Sequence, residues 1–229
     1  MTPLLSLKHV AKRLGSHPAV DDVTFDVAHG EAIAILGPSG SGKTTLLRLI
    51  AGLEIPDHGE ISLDGIRVAA DGRGIIAPHE RRIGFVFQDL ALWPHMTVQQ
   101  QLEFVLGSLK VTRSVWPARI KDALTLVRIE HLASRYPHQL SGGEQQRAAL
   151  ARTLAGQPRL ILFDEPLASL DPELRAHLRQ ELAVLRRSLN VTSVYVTHDT
   201  DDARALADRI LEMRAGRIVG DVATRRAIS

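Results

Sequence analysis

Apolar residues recur along this chain with two periods. In the opening third they form short runs, at residues 4–10, 20–27, 32–36, 60–63 and 83–87, each bounded by glycine, proline or charge, which predicts short strands separated by turns. Across residues 97–155 the spacing becomes helical. Val98, Leu102, Val105 and Leu106 share one stripe, and Leu124, Val127 and Leu132 another, which predicts a helical insertion. The last third alternates the patterns, with apolar runs at 160–163 and 192–197 and helices over 172–189 and 199–207, the order expected of parallel strands joined by helices. Asp171 before Pro172 is a helix start, and Leu174, Leu178, Leu182, Leu185 and Leu189 follow as its core stripe. Residues 209–213 and 217–219, hinged at Ala215 and Gly216, predict a closing hairpin.

Composition narrows the function classes. With 28 basic and 26 acidic residues the net charge is +2, so nothing argues for a nucleic-acid partner. Zero cysteines exclude disulfides, thiolate metal sites and a cysteine nucleophile, and fit a cytosolic protein. The opening MTPLLSLKHVAKRL becomes charged too soon for a secretory leader and is read as mature sequence. No run of about 18 apolar residues occurs, so a membrane role is expected to come from a partner.

The segment AILGPSGSGKTTLLRLIAGL places an apolar strand, a glycine-rich turn and a helix in the order of a phosphate-binding P-loop. Gly37, Gly40 and Gly42 let the backbone turn sharply, so that successive amides point at phosphate oxygens at the positive end of the helix. Lys43 is expected to reach the β and γ phosphates and the Thr44 hydroxyl to ligate magnesium. The plainer reading is an ordinary strand-to-helix turn.

In LILFDEP an apolar run delivers Asp164 and Glu165 at a strand end, the edge where open parallel sheets bind ligands. Asp164 would hold magnesium, largely through water, and Glu165 would orient and deprotonate an attacking water. The alternative is a strand ending in a solvated turn. His198 closes TSVYVTH in the same way and would contact the γ-phosphate; a structural or simply exposed histidine is the other reading.

LSGGEQQR, residues 140–147, opens an Ala- and Leu-rich helix. Ser141, Gly142 and Gly143 expose amides at its N-terminus, a second anion site, while Ser141 with Glu144 also reads as a capping box. Together with the P-loop and LILFDEP, this motif makes the chain resemble the ABC ATPase family over essentially its whole length. The resemblance implies an α/β P-loop NTPase (RecA-like) core, an N-terminal antiparallel β-subdomain and an inserted α-helical subdomain, divided approximately as residues 1–88, 89–155 and 156–229.

The resemblance further implies ATP and Mg2+ as ligands. Two subunits, identical or paralogous, would pack head to tail, each ATP lying between one P-loop and the other's signature of Ser141, Gly142, Gly143 and Glu144. Gly37, Pro38, Ser39, Gly40, Ser41, Gly42, Lys43, Thr44 and Thr45 would bind phosphates, and Gln88 would contact magnesium and sense a membrane partner. Asp164 matches the metal aspartate, Glu165 the general base and His198 the switch histidine. Ser169, Leu170 and Asp171, after Ala168, match the loop that crosses the dimer interface. Where the family usually stacks an aromatic residue on adenine, this sequence has Leu14; the resemblance therefore predicts weaker ATP binding and better tolerance of GTP. His17 is a second candidate for the base.

After Gln88, the stretch 89–98 with Trp93, Pro94 and Met96 reads as a groove receiving a partner helix, or as core packing at Leu90 and Leu92. The resemblance favours the groove, occupied by a transmembrane permease. The sequence from LLRLIAGLEIPDHGEI through VFQDLALWPHMTV looks most like importer subunits for small solutes. That implies a separate solute-binding protein and a peripheral place on the cytoplasmic face of the inner membrane. A fused C-terminal regulatory domain is not expected. A non-transport ABC ATPase of DNA repair or translation is the competing reading. A small-molecule kinase leaves LSGGEQQR unexplained.

Overall fold

The computed structural model describes residues 2–168, 172–189 and 191–224. The first sheet is antiparallel and contains β1 (Leu5–Leu14), β2 (His17–Val27), β4 (His58–Leu63), β5 (Ile66–Ala70) and the two-residue β6 (Arg73–Gly74), in the order β2-β1-β4-β5-β6. The second contains β3 (Ala32–Leu36), β7 (Ile83–Val86), β8 (Leu160–Asp164), β9 (Thr192–Thr197), β10 (Arg209–Arg214) and β11 (Arg217–Ala223), in the order β11-β10-β3-β9-β8-β7. Its four pairings from β10 to β7 are parallel, and the terminal hairpin β10–β11 is antiparallel.

The second sheet divides the molecule into two cores because its strands are buried on both faces. Alternation assigns the sides: Ala32 and Ala34 face one core, Ile33 and Ile35 the other, and Ile161 and Phe163 oppose Leu160 and Leu162 in the same way. Helix α1 (Lys43–Ala51) fills the core between the two sheets with Leu46, Leu47, Leu49 and Ile50, all fully buried. The buried guanidinium of Arg81 donates to the carbonyls of Leu49 and Ile50 and so satisfies the C-terminal end of α1.

The opposite core receives α2 (Val98–Ser108), α3 (Trp116–Leu126), α4 (Gly142–Ala155), α5 (Pro172–Leu189) and α6 (Thr200–Leu206). Helices α2 to α4 are inserted between β7 and β8, as the helical spacing across 97–155 predicts. Thr97 caps α2 through a capping box with Gln100. Leu178 and Leu182 of the α5 stripe are buried, as expected of a core stripe.

The fold departs from the sequence expectation in the first sheet. Strand β1 runs on to Leu14 and pairs directly with His17, making a hairpin, and β5 and β6 have no counterpart among the predicted strands. No helix among the described residues is long and apolar enough to cross a membrane.

Candidate functional site

Strand β3 sends the chain into the glycine-rich turn, and α1 leaves it. Gly42 caps α1 at φ 101°, where an added Cβ would sit 1.9 Å from the Ala19 carbonyl oxygen, so the turn requires glycine on both counts. A Cβ on Gly37 would lie 2.2 Å from the Met213 carbonyl, which lets β10 press against the loop. Pro38, Ser39 and Gly40 are exposed along its rim, whereas Ser41 is buried with an Oγ that has no hydrogen-bond partner.

The Lys43 side chain is 4% exposed and folds over the loop, its Nζ donating to the carbonyls of Gly37 at 2.8 Å and Pro38 at 2.9 Å. Burial holds its ammonium below the usual lysine range, against the raising pull of Glu165 and Asp164. The Thr44 hydroxyl donates to Asp164 Oδ1 at 2.9 Å, joining the start of α1 to the end of β8; Thr45 beside it is half-buried. Burial pushes the Asp164 carboxyl up, and the Thr44 hydrogen bond opposes the shift.

Adjacent strand residues ordinarily face opposite ways, yet Glu165 joins Asp164 in one cluster. The reason is backbone: Glu165 has φ 47°, and its amide donates to the Val196 carbonyl at 3.0 Å. Its carboxylate then lies 4.0 Å from Lys43 Nζ on one side and 3.1 Å from His198 Nδ1 on the other. His198 follows β9 directly, and Asp199 behind it caps α6 through Oδ1. Thus Lys43, Thr44, Asp164, Glu165 and His198 converge at the C-terminal edge of the parallel sheet.

The remaining candidates lie outside this cluster. Gln88 sits exposed in the turn after β7, and no side-chain hydrogen bond joins it to the cluster among the described residues. Ser141 caps α4, its amide donating to Glu144 Oε2 at 2.7 Å, so the capping box forms as expected. Gly142 begins the helix and Gly143 is buried; no hydrogen bond or ion pair joins this end of α4 to the P-loop among the described residues. Leu14 is 49% exposed at the β1–β2 hairpin end, opposite His17. Ser169, Leu170 and Asp171 lie outside the described residues.

A cleft of about 820 Å³ opens between β7 and the helical insertion, lined by Phe85, Phe87, Trp93, Lys110, Arg119 and Arg152 among others. Its apolar floor and basic rim adjoin the 89–98 stretch. Trp93 and Met96 are half-buried rather than exposed, because Trp93 packs edge-on against Phe104 with ring centroids 4.9 Å apart.

Residues 20–168 match the family model described as ABC transporter. The chain is 47% identical over 218 residues to the sulfate/thiosulfate import ATP-binding protein CysA of Bradyrhizobium diazoefficiens, covering 93% of this chain and 62% of that one. It is 49% identical over 216 residues to the Fe(3+) ions import ATP-binding protein FbpC of Pseudomonas fluorescens, covering 94% and 60%. Among solved structures, the dimeric bacterial ABC transporter cassette MJ0796 superposes with a TM-score of 0.82 at 35% identity, covering 96% of this chain and 99% of that one. The chain belongs to the ABC transporter family. It spans about three-fifths of the length of the curated relatives it matches.

In this ABC transporter cassette the donors at the P-loop suit a hard cation. Thr44 Oγ1 and the Asp164 carboxylate supply oxygen alone, and no group of three His, Cys, Asp or Glu side chains forms a closed metal cage among the described residues. That pattern fits Mg2+, which is typically held by one or two protein oxygens together with substrate phosphates.

Sequence reasoning missed two groups in the cassette. Asp202 of α6, 3% exposed, takes Arg175 at 2.5 Å and Arg179 at 2.6 Å from α5, locking α5 to the helix after His198. Arg152 of α4 reaches the chain after Gln88. Neither pairing has a local signal, since the partners are tens of residues apart and the arginines read as solvent-facing helix positions.

Proposed function

We propose that this chain binds and hydrolyses ATP and energises import of a small solute through membrane-spanning partners. The observation that carries the hydrolytic reading is the position of Glu165 between Lys43 and His198 at the mouth of a P-loop. A carboxylate there takes a proton from water as its oxygen attacks the γ-phosphorus; the bond from γ-phosphorus to the β–γ bridging oxygen breaks, and ADP and phosphate leave. Lys43 and the loop from Gly37 to Thr45 bind the phosphates, and His198 orients the water and the γ-phosphate. Thr44, Asp164 and Gln88 would hold Mg2+, which when bound neutralises charge on the phosphate oxygens.

Among the described residues, the signature at Ser141, Gly142, Gly143 and Glu144 carries no bond to its own P-loop. It serves the nucleotide of a second cassette, identical or paralogous, packed head to tail, with Ser169 to Asp171 crossing between them. The related cassette MJ0796 has been solved as a dimer, including a post-hydrolysis state bound to ADP and Pi. The cleft beside Trp93 takes a cytoplasmic segment of the permease, so the chain sits at the cytoplasmic face of the membrane. The relatives' names, sulfate, Fe(3+) and spermidine/putrescine import, support import and small cargo while differing in solute. A separate solute-binding protein completes the assembly.

The test is phosphate release from ATP by the purified chain with no acceptor present, alongside Lys43→Ala. Release that disappears in the variant supports the reading, and near-normal turnover in Lys43→Ala overturns it. Copurification from detergent-solubilised membranes tests the permease. Recovery with a DNA-repair or ribosomal partner instead would favour the non-transport alternative.

A further inference from the structure

Arg152 is nearly removed from water, 6% exposed, and its guanidinium is held by carbonyls and a ring, with the Asp89 carboxylate acting on it from nearby. It donates to the carbonyls of Leu90, at 2.8 Å, and Ala91, and its Cζ lies 5.0 Å from the centroid of Trp93. Leu90 and Ala91 have φ of 60° and 45°, consecutive left-handed conformations that side chains with a Cβ rarely adopt. Such backbone persists where its surroundings over-determine it: here Arg152 takes the two carbonyls, the Leu90 amide donates to the Phe87 carbonyl at 3.0 Å, and Gln101 of α2 accepts from the Trp93 amide at 3.3 Å.

Arg152 stands about 16 Å along α4 from Ser141. The same helix therefore ends in the signature at one end and grips the segment after Gln88 at the other. Arg147, between them, is bonded to Glu181 of α5 at 2.6 Å, which anchors the middle of the helix to the core. Arg152, Ala91 and Trp93 also line the 820 Å³ cleft, so whatever fills the cleft meets this contact.

We propose that Arg152 is a positioning residue that couples the signature helix to the docking segment, so that the Leu90–Ala91 turn and Ser141 move as one unit when ATP draws two cassettes together. This rests on the ATPase reading above. Its two-state element is the left-handed turn, biased from the cleft on one side and from α4 on the other.

The chain contains two tryptophans, Trp93 and Trp116, so Trp116→Phe makes Trp93 a lone fluorophore beside Arg152. In that chain with Glu165→Gln, to hold ATP uncleaved, ATP is expected to shift Trp93 emission. Adding Arg152→Lys, which keeps the charge but cannot span two carbonyls, should cut that shift at least fivefold while ATP affinity, measured with a fluorescent analogue, stays within about twofold. A full shift in Arg152→Lys, or no shift in the parent although ATP binds, overturns the proposal. Failure to bind ATP at all would instead sink the nucleotide-site reading. Should the substituted chains not fold, hydrogen exchange on the unsubstituted chain decides. ATP must change protection at 90–93 and at 142–145 together, and a change confined to 142–145 contradicts the coupling.

Discussion

Glu165 Oε2 and His198 Nδ1 lie 3.1 Å apart across the ends of neighbouring parallel strands. The contact exists because two backbone features agree: β9 delivers His198 straight off its last residue, and the left-handed turn at Glu165 swings the carboxylate back toward it. It gives the proposed base, Glu165, a fixed partner. His198→Ala is expected to lower ATP turnover about 10²-fold, as loss of positioning commonly does, with ATP affinity little changed. Steady-state phosphate release together with a nucleotide titration checks both halves.

Asp164→Asn should stabilise the chain in the absence of nucleotide while abolishing turnover. Burial raises the Asp164 carboxyl above its unfolded value, so its favourable contribution is complete below the ordinary pKa of 3.8 and is lost as pH rises through the folded value. At neutral pH the ionised group is therefore a cost. The amide removes that charge and still accepts from Thr44, so Tm measured without nucleotide at pH 7 should rise by roughly 2–4 °C, about 1 kcal/mol. The rise should vanish in scans run below the unfolded carboxylate range.

Gly42→Ala should damage the fold and not merely the site. The new Cβ meets the Ala19 carbonyl in a backbone conformation unfavourable to alanine, which costs about 2 kcal/mol or more and lowers Tm on the order of 5 °C. Thermal unfolding followed by circular dichroism measures it. Exposed Gly15, which has open space around it, is the control: Gly15→Asn at its left-handed φ of 60° should change Tm little.

Leu14→Tyr tests the adenine side. Leu14 is exposed at a hairpin end, so an aromatic ring is accommodated without repacking. Stacking worth about 0.5–1.5 kcal/mol should tighten ATP binding roughly twofold to tenfold and widen the preference over GTP. Competition titrations of the two nucleotides read the change; unchanged affinity and preference would place the base elsewhere, with His17 the next residue to substitute.

Much of this site is visible in the primary structure because its parts are local. A P-loop is one strand, one turn and one helix in sequence, and Asp164 and His198 each end an apolar run that can only be an interior strand. What sequence hides is what depends on distant packing. The turn at Glu165 is stabilised by Val196, the grip of Arg152 by residues about 60 positions earlier, and the Asp202 cluster by another helix. Strand β5 escaped because IRVAA is short and gains its place through pairing with β4 rather than through an apolar pattern of its own. The half-burial of Trp93 is equally hidden, because Phe104 and Arg152 enclose it from helices whose approach no local pattern encodes.

The most direct test is Glu165→Gln, assayed for turnover and for association in parallel. The amide keeps the size of the side chain but cannot accept the water's proton. Turnover should fall at least about 10²-fold while ATP still binds, and the uncleaved nucleotide should accumulate a dimer that light scattering detects with ATP and not with ADP. A mild loss of turnover, or no ATP-dependent dimer, would contradict the account.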